Sequence, residues 1–350
     1  LFVHEGKFVD EPAEIINETQ VDFNGDFCVP GFVDVQVYGA GGILFSDEPT
    51  VNTLKRMAQA LMSGGCTTFL PTVATNSREV MYAAIEAVKA YQEKGLAGVA
   101  GIHLEGPYIN AEKKGAHLEN KILEPTQDEL KGLIDYADGT IKIMTLAPEK
   151  MSAGNIHFLV ENNIKVSVGH TTLSYEDAII LFDKYTLLAT HLFNAMPPVH
   201  HRNPGLPVAI MMHENVQSSI VADGIHVHYD MIKLAKKMMG KRLFLITDAV
   251  AASKGVYPHQ LDKDRFILPD GTLSGSALTM LQAVKNVIQY CEIETGEAFS
   301  MATLYPANAA GLNYCGRLQS GTNADFLRIG KDLELKAVYK TGKAFPLSQL

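Results

Sequence analysis

Five ionisable residues stand at the ends of apolar, β-branched runs: Glu105 closes AGIHLE, His170 follows KVSVG, His191 closes LLATH, Asp223 closes SIVAD and Asp248 closes LFLITD. One histidine in such a place is more often a hydrogen-bonded core residue than a ligand. Carboxylates are costly to bury unpaired, so several acids and imidazoles converging on one mouth call for a cation or a proton-transfer role. Glu105, His170 and His191, two imidazoles and a carboxylate without cysteine, suit zinc(II) or iron(II), and three protein ligands leave one position open for water. Water on such an ion has its pKa lowered toward 7, and a neighbouring carboxylate can take its proton and pass it to a leaving group. Asp248, in Thr247-Asp248-Ala249, is the candidate for that carboxylate. A helix N-cap is the other common role of an Asp after a strand.

Positioning such a set is a matter of the elements between these residues. The runs number eight, at 32–37, 67–72, 100–105, 141–146, 165–169, 187–191, 219–223 and 243–248, each bounded by turn residues and separated by stretches of helical period. Leu54, Met57, Ala58 and Leu61 repeat at helical spacing before Gly64-Gly65, Ser174 with Asp177 resembles a capping box, and Met231, Leu234 and Met238 precede Gly240. Alternating strands and helices predict parallel strands with right-handed crossovers, and eight units are the number that closes an α/β (β/α)8 barrel, whose active sites lie at the C-terminal strand ends. An open doubly wound sheet is the competitor; GAGG at 39–42 has its glycines but lacks the helix that should follow. Hairpin patterns at both ends, with turns at Glu5-Gly6, Gly330 and Thr341-Gly342, predict a small β domain built from residues 1–30 and 313–350 around a barrel of residues 31–312.

With 350 residues, 47% hydrophobic and 20% charged, the chain has ordinary globular composition and can bury a sizeable core. A net charge of −9 without a basic cluster argues against nucleic acid as a partner. Cys28, Cys66, Cys291 and Cys315 are scattered with no CxxC pair, which points away from a disulfide framework or zinc knuckle and toward a reducing cytoplasm. No apolar run has the length of a membrane span, and LFVHEGKFVD lacks the basic flank and apolar core of a signal peptide.

The segments HLEGPYIN (103–110), KKGAH (113–117), VGHT (168–171), THLFNAMPP (190–198), DGIHV (223–227) and ITDA (246–249) run in order along the chain. Together they resemble the N-acetylglucosamine-6-phosphate deacetylase family of the amidohydrolase superfamily. PGFVDVQV (30–37), TLSGS (272–276) and GTNADFLRIG (321–330) extend the resemblance to both ends. It implies a (β/α)8 barrel with a small β domain from both termini, and one divalent ion per subunit on Glu105, His170 and His191. It also implies Asp248 as general base and then acid, and His117 as the contact to the substrate acetyl carbonyl. Ala116, Asn194, Ala195, His226, Leu273, Ser274 and Gly275 would line the sugar phosphate site. Arg202 would reach the phosphate from the neighbouring subunit of a homodimer, with His200 and His201 adding positive potential for an anionic substrate. Without the resemblance, His117 and Arg202 read as solvated surface.

Many amidohydrolases carry His-x-His at the end of the first strand for a second metal, whereas this chain has Gln36-Val37-Tyr38. Gln and Tyr are poor zinc ligands, so a single-metal centre is expected. Members of the resembled family with Gln at the first position usually have Asn at the second, and Tyr38 departs from that. The expected reaction is removal of the acetyl group from N-acetylglucosamine 6-phosphate. Rival readings are a related amidohydrolase acting on another N-acyl amino sugar phosphate or a cyclic amide, and a non-catalytic binding scaffold.

Overall fold

The computed structural model describes residues 1–11, 20–345 and 347. Its centre is an eight-stranded parallel sheet of β1 Phe32–Val37, β2 Cys66–Ala74, β3 Ile102–Glu105, β4 Ile141–Leu146, β5 Lys165–Val168, β6 Leu188–Ala189, β7 Gln217–Val221 and β8 Leu243–Ile246, paired in sequence order. Every expected run supplies one strand. The sheet closes on itself: Val37 bridges Ala249 in parallel, Asp248 N donates to Gln36 O at 3.0 Å and Tyr38 N to Ala249 O at 2.8 Å. An open sheet has no such pairing between its first and last strands, so the doubly wound alternative is excluded.

Helices α1 Val51–Ser63, α2 Arg78–Glu93, α3 Gln127–Ala137, α4 Ala153–Glu161, α5 Tyr175–Lys184, α6 Gly205–Met212, α7 Tyr229–Met239 and α8 Met280–Cys291 follow the eight strands in turn, and α9 Thr295–Ala302 and α10 Leu304–Ala309 complete the layer. α1 buries Leu54 and Met57 and stops at Gly64, as its spacing predicts. Ser174 caps α5 by accepting from Asp177 N. α7 differs: it buries Ile232, Ala235 and Met239, while Leu234 and Met238 of the expected stripe face outward. Two methionines and a leucine at helical spacing do not by themselves say which face of a helix meets a barrel.

At the opposite end from the strand termini, an antiparallel sheet orders Lys343–Phe345, Leu335–Lys340, Phe326–Ile329 and Phe27–Pro30. The hairpin Phe2–His4/Lys7–Val9 turns at Glu5-Gly6 and docks through Phe8 N to Thr322 O. Both termini therefore build one small β unit. The proposed boundaries 1–30 and 313–350 include residues 12–19, 346 and 348–350, which lie outside the described residues. Between β8 and α8, strands Gln260–Asp262, Arg265–Ile267 and Leu273–Ser276 form a further antiparallel sheet that overhangs the mouth of the barrel. Among the described residues, no helix is long and apolar enough to cross a membrane.

Candidate active site

Register brings the strand ends to one level. Glu105 pairs with Thr145, Thr145 with Ser167, and Val168 with Ala189. Beneath them a hydrogen-bonded chain runs across the barrel, from His103 Nε2 to Thr145 Oγ1 (2.8 Å), on to Thr190 Oγ1 (2.7 Å) and to Ser167 Oγ (2.5 Å). These polar side chains satisfy one another inside the barrel and hold β3, β4 and β5 together with the segment that leaves β6.

Above this layer His170, His191 and Asp248 turn out of their strands with φ of 49°, 35° and 55°. Left-handed backbone is unfavourable for non-glycine residues and collects at functional sites. Glu105 Oε1 lies 3.3 Å from His170 Nε2 and 3.1 Å from His191 Nε2, and the two nitrogens are 3.1 Å apart. All three residues are buried. His170 Nδ1 donates to Lys113 O at 2.8 Å, which leaves a lone pair on its Nε2, and His191 Nδ1 has no protein partner. Two imidazole nitrogens and a carboxylate oxygen aimed at one point in a buried mouth are a donor set for a divalent cation, so the residues fit the expected metal.

Burial would raise the Glu105 carboxyl, but the surrounding imidazoles, His170 foremost, hold it well below its ordinary value. Burial also raises Asp248, opposed by His191 and reinforced by the negative Glu105, and the net direction is upward. No helix starts at Asp248, so the N-cap role does not apply. Burial, together with the neighbouring His170, pushes His117 down to about 4, which makes it neutral at pH 7. Its Nδ1 accepts from Thr75 N at 3.3 Å, so the ring hydrogen is on Nε2, 3.1 Å from Glu105 Oε2. His117 is thus a neutral N–H donor in the mouth.

An open cavity of about 200 Å³ is lined by these groups and by Ala116, Asn194, Ala195, His226, Leu273, Ser274 and Gly275. Of the expected site residues, Asp223, His200, His201 and Arg202 do not line it, and the others do. Arg202 sits in an exposed turn between His200 and Asn203. Asp223 Oδ1 accepts from Ile225 N and His226 N, and its Oδ2 faces His226 Nδ1 at 2.6 Å, so it folds the loop and orients the imidazole. Gly275 (φ 122°) lets the overhang approach the strand end, since a Cβ there would stand 2.6 Å from Val250 Cγ1.

Three contributors escape a reading of strand ends. Tyr257 and His259 form a stacked pair in the wall, their rings 5.8 Å apart and 9° from parallel, with His259 Nδ1 2.9 Å from Ser274 Oγ. Both lie in the overhang, where no apolar run marks them. Tyr38, which the sequence singles out at the end of the first strand, lines the cavity beside Glu105. Glu149 stands behind His170: its carboxylate takes hydrogen bonds from Thr171 Oγ1 (2.5 Å), Thr172 N (2.7 Å) and Asn110 Nδ2 (2.9 Å). Only its position just beyond β4 hints at this.

A closed parallel barrel with a carboxylate, two imidazoles and an acid at its mouth defines a metal-dependent hydrolase, and the chain belongs to the amidohydrolase family, whose profile matches residues 27–345. Within that family it is similar to N-acetylglucosamine-6-phosphate deacetylases. The enzyme of Haemophilus influenzae is 33% identical over 336 residues, covering 92% of this chain and 87% of that protein. The crystal structure of N-acetylglucosamine-6-phosphate deacetylase from Pasteurella multocida superposes with a TM-score of 0.92 at 32% identity, covering 98% of this chain and 94% of the other. An N-acetylgalactosamine-6-phosphate deacetylase from a Shewanella species is 32% identical over 324 residues, 90% of this chain and 82% of its own length.

Proposed function

We propose that this protein hydrolyses the N-acetyl group of N-acetylglucosamine 6-phosphate, giving glucosamine 6-phosphate and acetate. The observation that carries the reading is one cavity holding the Glu105, His170 and His191 donors, the Asp248 carboxylate and the neutral N–H donor of His117. Glu105, His170 and His191 would hold one divalent ion per subunit. We assign zinc, with iron(II) the alternative for the same nitrogen and oxygen donors. When bound, such an ion supplies Lewis acidity to the acetyl carbonyl and acidity to a water.

The protein groups do the rest. Asp248 takes a proton from the attacking water and returns it to the leaving nitrogen, and its raised pKa makes that return easier than for an ordinary Asp. His117 Nε2–H donates to the carbonyl oxygen as negative charge develops there. His226, aimed by Asp223, together with Asn194, Ala195, Ala116 and the Leu273–Gly275 turn, orients the sugar. Arg202 of a second copy in a homodimer binds the phosphate, and His200 and His201 raise the local positive potential. The enzyme works in the cytoplasm in this reading, in keeping with four free cysteines.

A second reading, the C4 epimer N-acetylgalactosamine 6-phosphate as substrate, is favoured by the name of the Shewanella relative. Release of free amine from both phosphosugars and from unphosphorylated N-acetylglucosamine, by protein of assayed metal content, tests both. We expect metal-dependent turnover of N-acetylglucosamine 6-phosphate, and in Arg202→Ala a KM raised at least about tenfold. Metal-loaded protein that releases no amine from any of the three would end the deacetylase reading in favour of a binding scaffold.

A further inference from the structure

Tyr38 touches the ligand set without being part of it. Its hydroxyl donates to Glu105 Oε2, the oxygen that His117 Nε2 also reaches at 3.1 Å, while Glu105 Oε1 faces the two imidazoles. The direction of that bond is forced. Gln36 Nε2, which can only donate, lies 2.7 Å from Tyr38 Oη, 3.1 Å from Glu105 Oε1 and 2.9 Å from Asp248 Oδ1. The two carboxylate oxygens, which only accept, fix the orientation of that amide, and an ionised Glu105 has no hydrogen to give, so the Tyr38 hydroxyl spends its own hydrogen on Glu105. At the far end of the same chain, Thr75 N fixes the His117 hydrogen on Nε2.

Glu105 Oε2 therefore has two donors of fixed direction, and only one of them has a second task. If His117 donates to a substrate carbonyl, as proposed above, it must leave Oε2. A buried carboxylate oxygen stripped of its donors is costly, and Tyr38 is what remains on it. We propose that Tyr38 is a positioning residue that keeps Glu105 satisfied and single-faced, and so releases His117 to the substrate. With phenylalanine at this position, Oε2 would hold His117 back.

The inference rests on the deacetylase reading for the role of His117, and Tyr38→Phe in the metal-loaded, full-length protein tests it by two routes. In turnover of N-acetylglucosamine 6-phosphate we expect kcat to fall about 10- to 100-fold with KM within about twofold, because the lost contact matters only once His117 is engaged. In chelator competition for zinc, which needs no substrate, we expect affinity about tenfold weaker, as for other groups that support a ligand from behind. An unchanged kcat overturns the proposal. So does a fall in kcat that merely follows a lower melting temperature, or one with zinc affinity intact. Absence of turnover in the parent protein with zinc bound removes the deacetylase reading instead, and the zinc competition still reports on the Tyr38–Glu105 bond.

Discussion

The mouth of the barrel and its seam with the small β sheet both bury ionised groups, and they treat them in opposite ways. At the seam, Lys340 Nζ donates to Asp325 Oδ2 at 2.5 Å and to Thr67 O at 2.7 Å, and Asp325 Oδ1 accepts from Thr341 N at 2.8 Å. Each charge has its opposite and its hydrogen bonds. At the mouth, two imidazole nitrogens face each other across a carboxylate oxygen, His191 Nδ1 has no protein partner, and three of the residues are held in left-handed backbone. Elsewhere left-handed non-glycine residues such as Asn24, Asp138, Lys263 and Thr341 serve turns or helix ends. Satisfied buried charge marks structure. Donor atoms crowded on one point by strained backbone mark chemistry, because the group that fits among them is a cation or a substrate.

That contrast is broken most severely if catalysis and stability fail to separate. Asp248→Asn keeps size and polarity but removes the proton acceptor, and kcat/KM should fall about 10²- to 10⁴-fold. Its melting temperature should stay level or rise, since a buried carboxyl near Glu105 is relieved. A stopped-assay rate beside a thermal melt decides it; a large loss of stability would mean that Asp248 is a structural residue like Asp325.

Lys340→Met makes the converse case. Removing one partner leaves Asp325 buried and uncompensated, for which a loss of about 3–5 kcal/mol is expected in urea unfolding. Turnover per folded molecule should remain within about twofold of the parent. Lost turnover at full folding would show that the seam reaches the site through β2, which carries Thr67 at one end and leads to Thr75 and its His117 contact at the other.

The same contrast explains what could be read from the chain alone. Eight apolar runs became eight barrel strands because a parallel barrel buries its strands on both sides, and continuous apolarity is the signature of that environment. Glu105, His170, His191 and Asp248 were legible because each interrupts such a run at its end. Asn194, Ala195 and the Leu273–Gly275 turn came only through a resemblance, since loop residues facing a cavity look like any loop. Tyr257, His259 and Glu149 were missed for the same reason. Their roles arise where the overhang folds back or where two strand-end loops meet, contacts that local spacing does not encode.

The smallest effect tests whether the overhang belongs with the mouth or with the satisfied groups. Burial pushes His259 down to about 4, and its Nδ1 already has Ser274 Oγ. A neutral histidine held below its unfolded value near 6.5 binds fewer protons in the native state than in the unfolded one between those two values. Its contribution is thus fully present above about pH 6.5 and is lost as pH falls toward 4. His259→Gln, which retains a polar group beside Ser274, should remove that slope, so that the stability lost between pH 7 and pH 5 shrinks by about 2 kcal/mol. Urea unfolding at the two pH values measures the difference. A slope identical to that of the parent would mean that His259 binds protons in the folded wall as readily as in the unfolded chain, and that the overhang leaves its imidazole open to water.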